Sequence, residues 1–167
     1  EINSDDASKL IGCINALSKQ ILGDEGVLQR EDPNFMKRAV AFCPKITASK
    51  KITNVFNDFG QVYTDSFLGT TAETKGLQMV KVSSDHIDGT MSAPERDRKL
   101  AWLKEDTPDG ECRILTNVRC LSEGVDVPSL DAVMFLAARN SPVDVVQSVG
   151  RVMRKAPGKN YGYIIIP

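Results

Sequence analysis

Five short runs of apolar, often β-branched residues recur along the chain, and segments of helical length separate most of them. Such runs are typical of strands buried on both faces of a parallel sheet, which need helical crossovers to return the chain. The sequence therefore predicts an α/β fold with a mainly parallel sheet flanked by helices. The predicted strands span residues 38–43, 79–82, 112–116, 131–136 and 161–166.

Apolar residues at helical spacing predict the helices between these strands. Ser92 and Glu95 form a capping box, a pattern that marks the start of a helix. Residues 60–78 are rich in Thr and Gly and give no clear prediction. The predicted helices span residues 5–22, 46–58 and 93–105.

Composition places the chain among ordinary globular proteins. With 167 residues, 41% hydrophobic and 26% charged, it can bury a core without disulfides or metals. The 21 basic and 22 acidic residues exclude a strongly basic, histone-like binder. No apolar run approaches the ~20 residues of a membrane span, and no signal peptide is evident. Because the first residue is Glu1 rather than Met, we expect an excised fragment of a longer, cytoplasmic protein with no membrane partner.

The four cysteines and the single histidine, His86, do not predict a metal site. No two cysteines are spaced as C-x-x-C, whereas a zinc site needs closely spaced Cys and His ligands. We expect free thiols in a reducing compartment, with Cys43 and Cys112 buried in apolar runs. No nucleophile is spaced to partner His86 in acid–base chemistry, so we predict a strand-end or loop residue.

Charge is unevenly distributed along the chain. Residues 1–32 hold three basic and seven acidic side chains, whereas residues 139–159 hold five basic and one acidic side chain. A basic patch of this kind predicts an anionic partner at the C-terminal end of the chain, and its alternative is a solvated helix face.

Residues 141–154 predict a helix with two different faces. At about 100° per residue, Gln147, Arg151 and Arg154 form one row, and valines form the opposite face that packs on the sheet. Gly150 lies inside this helix, where glycine costs on the order of 1 kcal/mol, so we expect something to approach the backbone there. Two arginine side chains in one row suit the oxygens of a phosphate or polyphosphate.

A second polar segment follows the strand predicted at 112–116. Thr116 and Asn117 end that strand, and ligands of parallel sheets bind beyond the carboxyl ends of the strands. Gly124 and Asp126 follow in a tight loop, where the carboxylate could reach a ribose hydroxyl or an arginine of the next helix. Taken alone, this loop is better explained as an ordinary turn.

Together these segments resemble the second RecA-like domain of superfamily 2 helicases and translocases of the DEAD/DEAH type. Residues 116–128 are similar to motif V, and residues 147–154 match motif VI, Q-x-x-G-R-x-x-R, at every defined position. Residues 38–45 resemble motif IV. The resemblance covers residues 36–167 as a helicase C-terminal RecA-like domain, and we expect residues 1–35 to be an N-terminal helical extension or linker.

The resemblance implies a three-layer RecA-like domain that closes over ATP held by a first RecA-like domain. This chain contains no G-x-x-x-x-G-K-[ST] loop and no Asp-Glu-x-[Asp/His] tetrad, so the magnesium ligands are expected on that partner domain. By family analogy, Arg151 and Arg154 act as arginine fingers on ATP, and Gln147 positions the γ-phosphate. The same analogy assigns the nucleotide to Gly124, Asp126 and Gly150, and the nucleic-acid backbone to Thr116, Asn117 and Gly89.

The sequences of motifs V and VI resemble those of restriction-type DNA translocases more than those of RNA helicases. This resemblance favours DNA over RNA. Two function classes remain open. The chain is half of an ATP-driven motor that is inactive in hydrolysis alone, or it is a non-catalytic α/β domain that binds nucleic acid or a phosphorylated ligand. A dinucleotide-dependent oxidoreductase is set aside because no G-x-G-x-x-G follows a strand.

Overall fold

The computed structural model describes most of the chain as five helices and five strands. The described residues are 4–19, 27–68, 80–121, 130–137, 142–152 and 154–167. The helices are α1 (Ser4–Leu17), α2 (Val27–Glu31), α3 (Ile46–Leu68), α4 (Ala93–Lys104) and α5 (Pro142–Val152). The strands are β1 (Arg38–Phe42), β2 (Lys81–Ile87), β3 (Glu111–Asn117), β4 (Ala132–Phe135) and β5 (Tyr163–Ile165).

The five strands form one sheet in the order β2-β3-β1-β4-β5, and every pair of neighbours is parallel. This confirms the predicted parallel α/β sheet. In the register of β1 and β3, Ala41 pairs with Thr116 and Phe42 with Asn117. The last residues of β3 therefore lie beside the end of the central strand, at the carboxyl edge of the sheet.

Alternate residues of the strands face two separate cores. Ala39 and Ala41 pack with the α1 and α3 side chains, whereas Val40 and Phe42 pack with Leu103 of α4 and its neighbours. Because side chains alternate across a strand, the apolar run of β1 supplies both cores at once. Helices therefore cover both faces of the sheet in the three layers that the sequence predicts.

Helix α1 belongs to the first of these cores. Leu10, Ile14 and Leu17 are almost wholly buried against α3 and the sheet. The helix ends at Leu17 rather than at the predicted residue 22, because Lys19 adopts a left-handed backbone with φ of 56°. The described part of residues 1–35 is thus packed on the domain, and the division of the chain at residue 36 stays a prediction.

Strand β2 and helix α3 are longer than the sequence predicts, and α2 was not predicted. The four consecutive polar residues Ser83 to His86 hid the strand, because they interrupt the apolar run that would indicate it. As an edge strand, β2 has backbone groups without a partner strand. Asn57 of α3 supplies one such partner: its side chain accepts from Ser84 N at 2.7 Å and donates to Ser84 O at 3.0 Å.

Helix α4 confirms the predicted start with Ser92 as N-cap and has a basic cap at its other end. The Ser92 side chain accepts a hydrogen bond from Glu95 N at the first turn. At the last turn, the Arg38 guanidinium donates to Leu103 O and Lys104 O, both at 2.9 Å. A cation suits this end because the last carbonyls of a helix have no partner within it.

All four cysteines are free thiols, as predicted. Cys13, Cys43 and Cys112 are buried, and Cys120 is partly exposed. Burial raises the pKa of the Cys13 thiol to about 12. Within the described ranges, no three metal-ligating side chains come together, and no helix is long and apolar enough to cross a bilayer.

Candidate functional site

The predicted site residues fall into two groups in the structure. Thr116 and Asn117 end β3, and Gly89 follows β2, so these three lie at the carboxyl edge of neighbouring strands. The second group lies on and just after α5, which packs against β4 and β5. Gly124 and Asp126, which were expected to join the two groups, lie outside the described residues.

The hydroxyl of Thr116 is wholly buried beneath this edge. Its Oγ1 lies 2.8 Å from Ser49 Oγ and 2.6 Å from Thr53 Oγ1. Both partners belong to the first two turns of α3. Thr116 therefore fastens α3 to the end of β3 through a cluster of three hydroxyl groups.

The side chain of Asn117 is also wholly buried and joins two segments. Its Nδ2 donates to Ala41 O at 3.1 Å, and its Oδ1 accepts from Leu121 N at 3.4 Å. It thus links β1 to the start of the segment that carries the motif V residues. The buried side chains of Thr116 and Asn117 support the edge and do not reach its surface, and the contact of these two residues with nucleic acid stays a prediction.

A buried chain of hydrogen bonds continues from the Thr116 cluster to the end of β2. Ser49 Oγ lies 2.7 Å from His86 Nδ1, and His86 Nε2 lies 2.6 Å from Asp88 Oδ2. Ser49, His86 and Asp88 are each at most 5% exposed. Three segments that are distant in sequence are therefore joined under the carboxyl edge.

Asp88 also shapes the loop that holds Gly89. Its Oδ1 accepts from Thr90 N at 2.8 Å and from the Thr90 hydroxyl. The Thr90 hydroxyl and, after it, His86 hold the pKa of Asp88 at about 2, so this carboxylate is ionised at neutral pH. Gly89 itself is exposed, and a Cβ added there would meet no atom within 4 Å.

Sequence reasoning missed this chain of side chains. The predicted strand-end position of His86 is confirmed, since it is the last residue but one of β2, but the sequence did not indicate that Ser49 of α3 lies beside it. The order of carboxylate, imidazole and hydroxyl is that of a hydrolytic triad. However, Ser49 is 0% exposed, so no substrate reaches its hydroxyl, and the chain is a structural connection. No local spacing could have revealed it.

A groove of about 450 Å³ opens beside this edge, at the carboxyl ends of β1 and β4. Lys9, Lys45 and Lys51 stand around an apolar floor that includes Ile52 and Leu136. The combination of cationic rim and apolar floor suits an anionic partner with apolar surfaces.

Helix α5 begins at Pro142, as predicted, and buries one face on the sheet. Val152 is 1% exposed, whereas Gln147 and Gly150 are exposed on the outer side. The helix ends at Val152, so Arg154 follows it instead of completing a helical row. The Arg154 side chain is exposed. Arg151 lies in the helix, but its side chain is outside the described part of the structure.

The predicted basic patch at 139–159 is only partly a surface feature. Arg154 and Lys155 are exposed, but the ammonium of Lys159 is turned toward backbone carbonyls of Leu130, Val152 and Arg154. Among the described residues of the patch, Lys159 therefore differs from Arg154 and Lys155, because its ammonium is hydrogen-bonded to backbone carbonyls.

Comparison with solved structures identifies the fold. The chain matches LlaBIII, an ATP-dependent Type ISP restriction-modification enzyme bound to DNA, with 36% identity and a TM-score of 0.70. The match covers 99% of this chain and 10% of that protein. Domain 2 of the DEAD-box helicase Mss116p, bound to an RNA duplex, matches 96% of this chain and 50% of that chain. With 15% identity and a TM-score of 0.56, that likeness shows the fold alone.

Curated relatives include viral helicases. A probable helicase of African swine fever virus is 46% identical over 54 residues, which are 32% of this chain and 6% of the relative. A putative helicase of a Sulfolobus islandicus filamentous virus is 30% identical over 84 residues, which are 50% of this chain and 14% of the relative. The chain thus spans a small part of the curated relatives it matches.

A family model described as the helicase conserved C-terminal domain matches residues 32–156. That stretch includes β1 to β4, α5 and both groups of candidate site residues. Because the match extends over more than half of the chain, this protein belongs to the helicase conserved C-terminal domain family and has the fold of a second RecA-like domain.

Proposed function

We propose that this chain is the second motor domain of an ATP-dependent nucleic-acid translocase or helicase and is inactive in ATP hydrolysis by itself. The observation that carries the proposal is the exposed outer side of α5, where Gln147 and Gly150 face outward and Arg154 follows. These residues lie in the segment that matches both the family model and the motif VI spacing.

The residues on α5 and just after it fit the polyphosphate of ATP held by a partner domain. Arg151 and Arg154 bear guanidinium groups that bind phosphate oxygens through two parallel hydrogen bonds. Gln147 supplies an amide for the γ-phosphate, and the open space beside Gly150 lets a phosphate approach the helix backbone. We propose that both arginines stabilise charge that develops on the transferred phosphoryl group.

The remaining nucleotide contacts are assigned to the loop after β3. We propose that Gly124 and Asp126 lie near the ribose and connect that loop to Arg151 and Arg154. The bound ATP with Mg²⁺ supplies the phosphoryl group that is hydrolysed. We assign its magnesium ligands to the partner N-terminal RecA-like domain of the same protein, because this sequence contains no G-x-x-x-x-G-K-[ST] loop and no Asp-Glu-x-[Asp/His] tetrad.

The nucleic-acid surface is assigned to the carboxyl edge of β2 and β3. Gly89 is the exposed residue of this surface. The side chains of Thr116 and Asn117 hold the protein backbone behind Gly89 in place. The lysine-rimmed groove extends the same edge with positive charge. DNA is the proposed track, because the solved restriction-modification enzyme to which this chain is 36% identical is bound to DNA. We propose that the complete protein is a cytoplasmic translocase of the restriction-enzyme type.

The test is ATP turnover by the complete protein with duplex DNA, single-stranded DNA or RNA, beside turnover by the 167-residue chain alone. We expect duplex DNA to stimulate the complete protein most and the isolated chain to show no turnover. Stimulation by RNA alone would move the track from DNA to RNA. No turnover under any condition would replace the motor with the alternative, a non-catalytic domain that binds nucleic acid or a phosphorylated ligand.

A further inference from the structure

A tight turn after α5 sends the chain back toward the end of that helix. Residues Ala156 to Lys159 close a turn in which Lys159 N donates to Ala156 O at 3.1 Å. Pro157 occupies the second position, and Gly158 occupies the third with φ of 75°. This is the pattern of a type II turn, in which the third residue needs the positive φ that glycine adopts without strain.

The turn places the Lys159 ammonium against the C-terminus of α5. Its Nζ donates to Leu130 O at 2.6 Å, to Arg154 O at 3.0 Å and to Val152 O. Val152 is the last residue of α5, and the last carbonyls of a helix have no partner within it. One ammonium thus joins the end of α5, the residue that follows it and the segment that precedes β4.

The backbone of Gly162 also packs closely against the same end of α5. A Cβ added to Gly162, just before β5, would lie 2.2 Å from Val152 O and 2.7 Å from Val152 C. Real Cβ atoms do not approach a backbone carbonyl this closely, so only glycine fits. The segment 158–162 therefore encloses the end of α5 from two sides.

From this geometry we propose that Lys159 is a positioning residue for Arg154, because its ammonium fixes the backbone from which the arginine side chain projects. The inference rests on the proposed function, since it assigns to Lys159 the placement of one of the proposed arginine fingers. Lys159 itself has no contact with the nucleotide under this proposal. Its ammonium donates hydrogen bonds to the carbonyls of Leu130, Val152 and Arg154.

Opposing electrostatic effects act on the Lys159 ammonium. Burial lowers the pKa of Lys159, and the nearby Asp131 carboxylate opposes that change. The carbonyl end of α5 is the negative end of the helix dipole, which favours a cation there. Arg38 and Arg113 make similar contacts with the last turn of α4, so basic side chains stabilise helix ends at two places in this domain.

The test is a double-mutant cycle on ATP turnover by the complete protein, with variants Lys159→Met, Arg154→Ala and both together. We expect Lys159→Met to lower kcat by about 10–100-fold with KM for ATP changed less than about twofold, since a 1 Å displacement of a catalytic group can cost ~100-fold. In the Arg154→Ala background, Lys159→Met should cause no further loss, because the residue through which it acts is already gone.

Arg113→Met is the matched control, since it removes a basic contact from the end of α4 and should leave kcat unchanged. Lys159→Gln keeps a shorter donor and replaces Lys159→Met in the cycle if the methionine variant does not fold. A loss of kcat that is additive with Arg154→Ala would overturn the inference. Arg154→Ala with the turnover of the unmutated protein would instead contradict the proposed function itself.

Discussion

The imidazole Nε2 of His86 lies 2.6 Å from Oδ2 of Asp88, and both side chains are almost wholly buried at the end of β2. This pair is one end of the chain that runs through Ser49 to Thr116. It fixes the loop of Gly89, the exposed point of the proposed nucleic-acid surface. The shape of that surface therefore depends on the contact between His86 and Asp88.

Because the Asp88 carboxylate has a lowered pKa, we expect part of the free energy of unfolding to be lost in acid. Its pKa is about 2 in the folded chain against an ordinary value of 3.8. A lowered pKa stabilises the folded state above pH 4, and this contribution is lost as the pH falls from about 4 toward 2. We expect Asp88→Asn to lower the free energy of unfolding by about 2 kcal/mol at pH 7.

Urea unfolding of both proteins from pH 7 to pH 2.5 measures this effect. The difference between the unmutated chain and Asp88→Asn should shrink over the most acidic part of the range. A difference that stays constant with pH would show that the carboxylate charge contributes nothing to folding.

Ser49→Ala removes the hydroxyl that lies between His86 and Thr116. We expect a loss of about 1–3 kcal/mol in the free energy of unfolding, because buried partners are left without a hydrogen bond. Thr47→Ala, at an exposed position in the same first turn of α3, is the control and should change stability by less than about 0.5 kcal/mol. Equal effects of the two substitutions would refute the structural role of the chain.

Gly162→Ala should destabilise the chain, since the new methyl group would meet Val152 O at 2.2 Å. Relief of such a clash by backbone shifts costs about 1–3 kcal/mol. Gly12→Ala is the opposite control, because Gly12 lies exposed in α1 and an added Cβ there meets nothing. It should raise stability by roughly 0.5–1 kcal/mol through helix propensity. Thermal unfolding that shifts upward for both variants would be incompatible with the described packing.

Gly150→Ala should change stability and turnover in opposite directions. An added Cβ meets no atom within 4 Å, so alanine should stabilise α5 by about 0.5–1 kcal/mol. If a phosphate approaches the helix backbone at this point, the same methyl group should lower ATP turnover by the complete protein. Unfolding curves and turnover measured on one preparation compare the two effects. Unchanged turnover would remove Gly150 from the nucleotide site.

The parallel sheet could be predicted because each buried strand except β2 is a short apolar run bounded by turn residues. β2 was predicted too short, since as an edge strand it carries polar residues whose backbone is completed by Asn57 of a distant helix. The helix α3 extends past the predicted residue 58 into a segment whose Thr and Gly content gave no signal.

The sequence yields candidate site residues where a motif occupies neighbouring positions, as in Gln147 to Arg154, and their roles stay a prediction. It was missed where contacts join distant segments. His86 and Ser49 are 37 positions apart, and nothing in either local sequence indicates their contact. Lys159 counted as a surface charge in the sequence, whereas only the fold shows its ammonium on the carbonyls at the end of α5.

The most direct measurement is ATP turnover by the complete protein with the substitution Arg151→Ala. We expect a loss of about 10³-fold or more, because an arginine finger stabilises charge in the transition state. Nucleic-acid affinity of the same variant should remain within about twofold. Lys81→Ala, which removes an exposed charge at the start of β2, should leave turnover unchanged. Turnover of Arg151→Ala equal to that of the unmutated protein would show that this domain does not supply a catalytic arginine at this position.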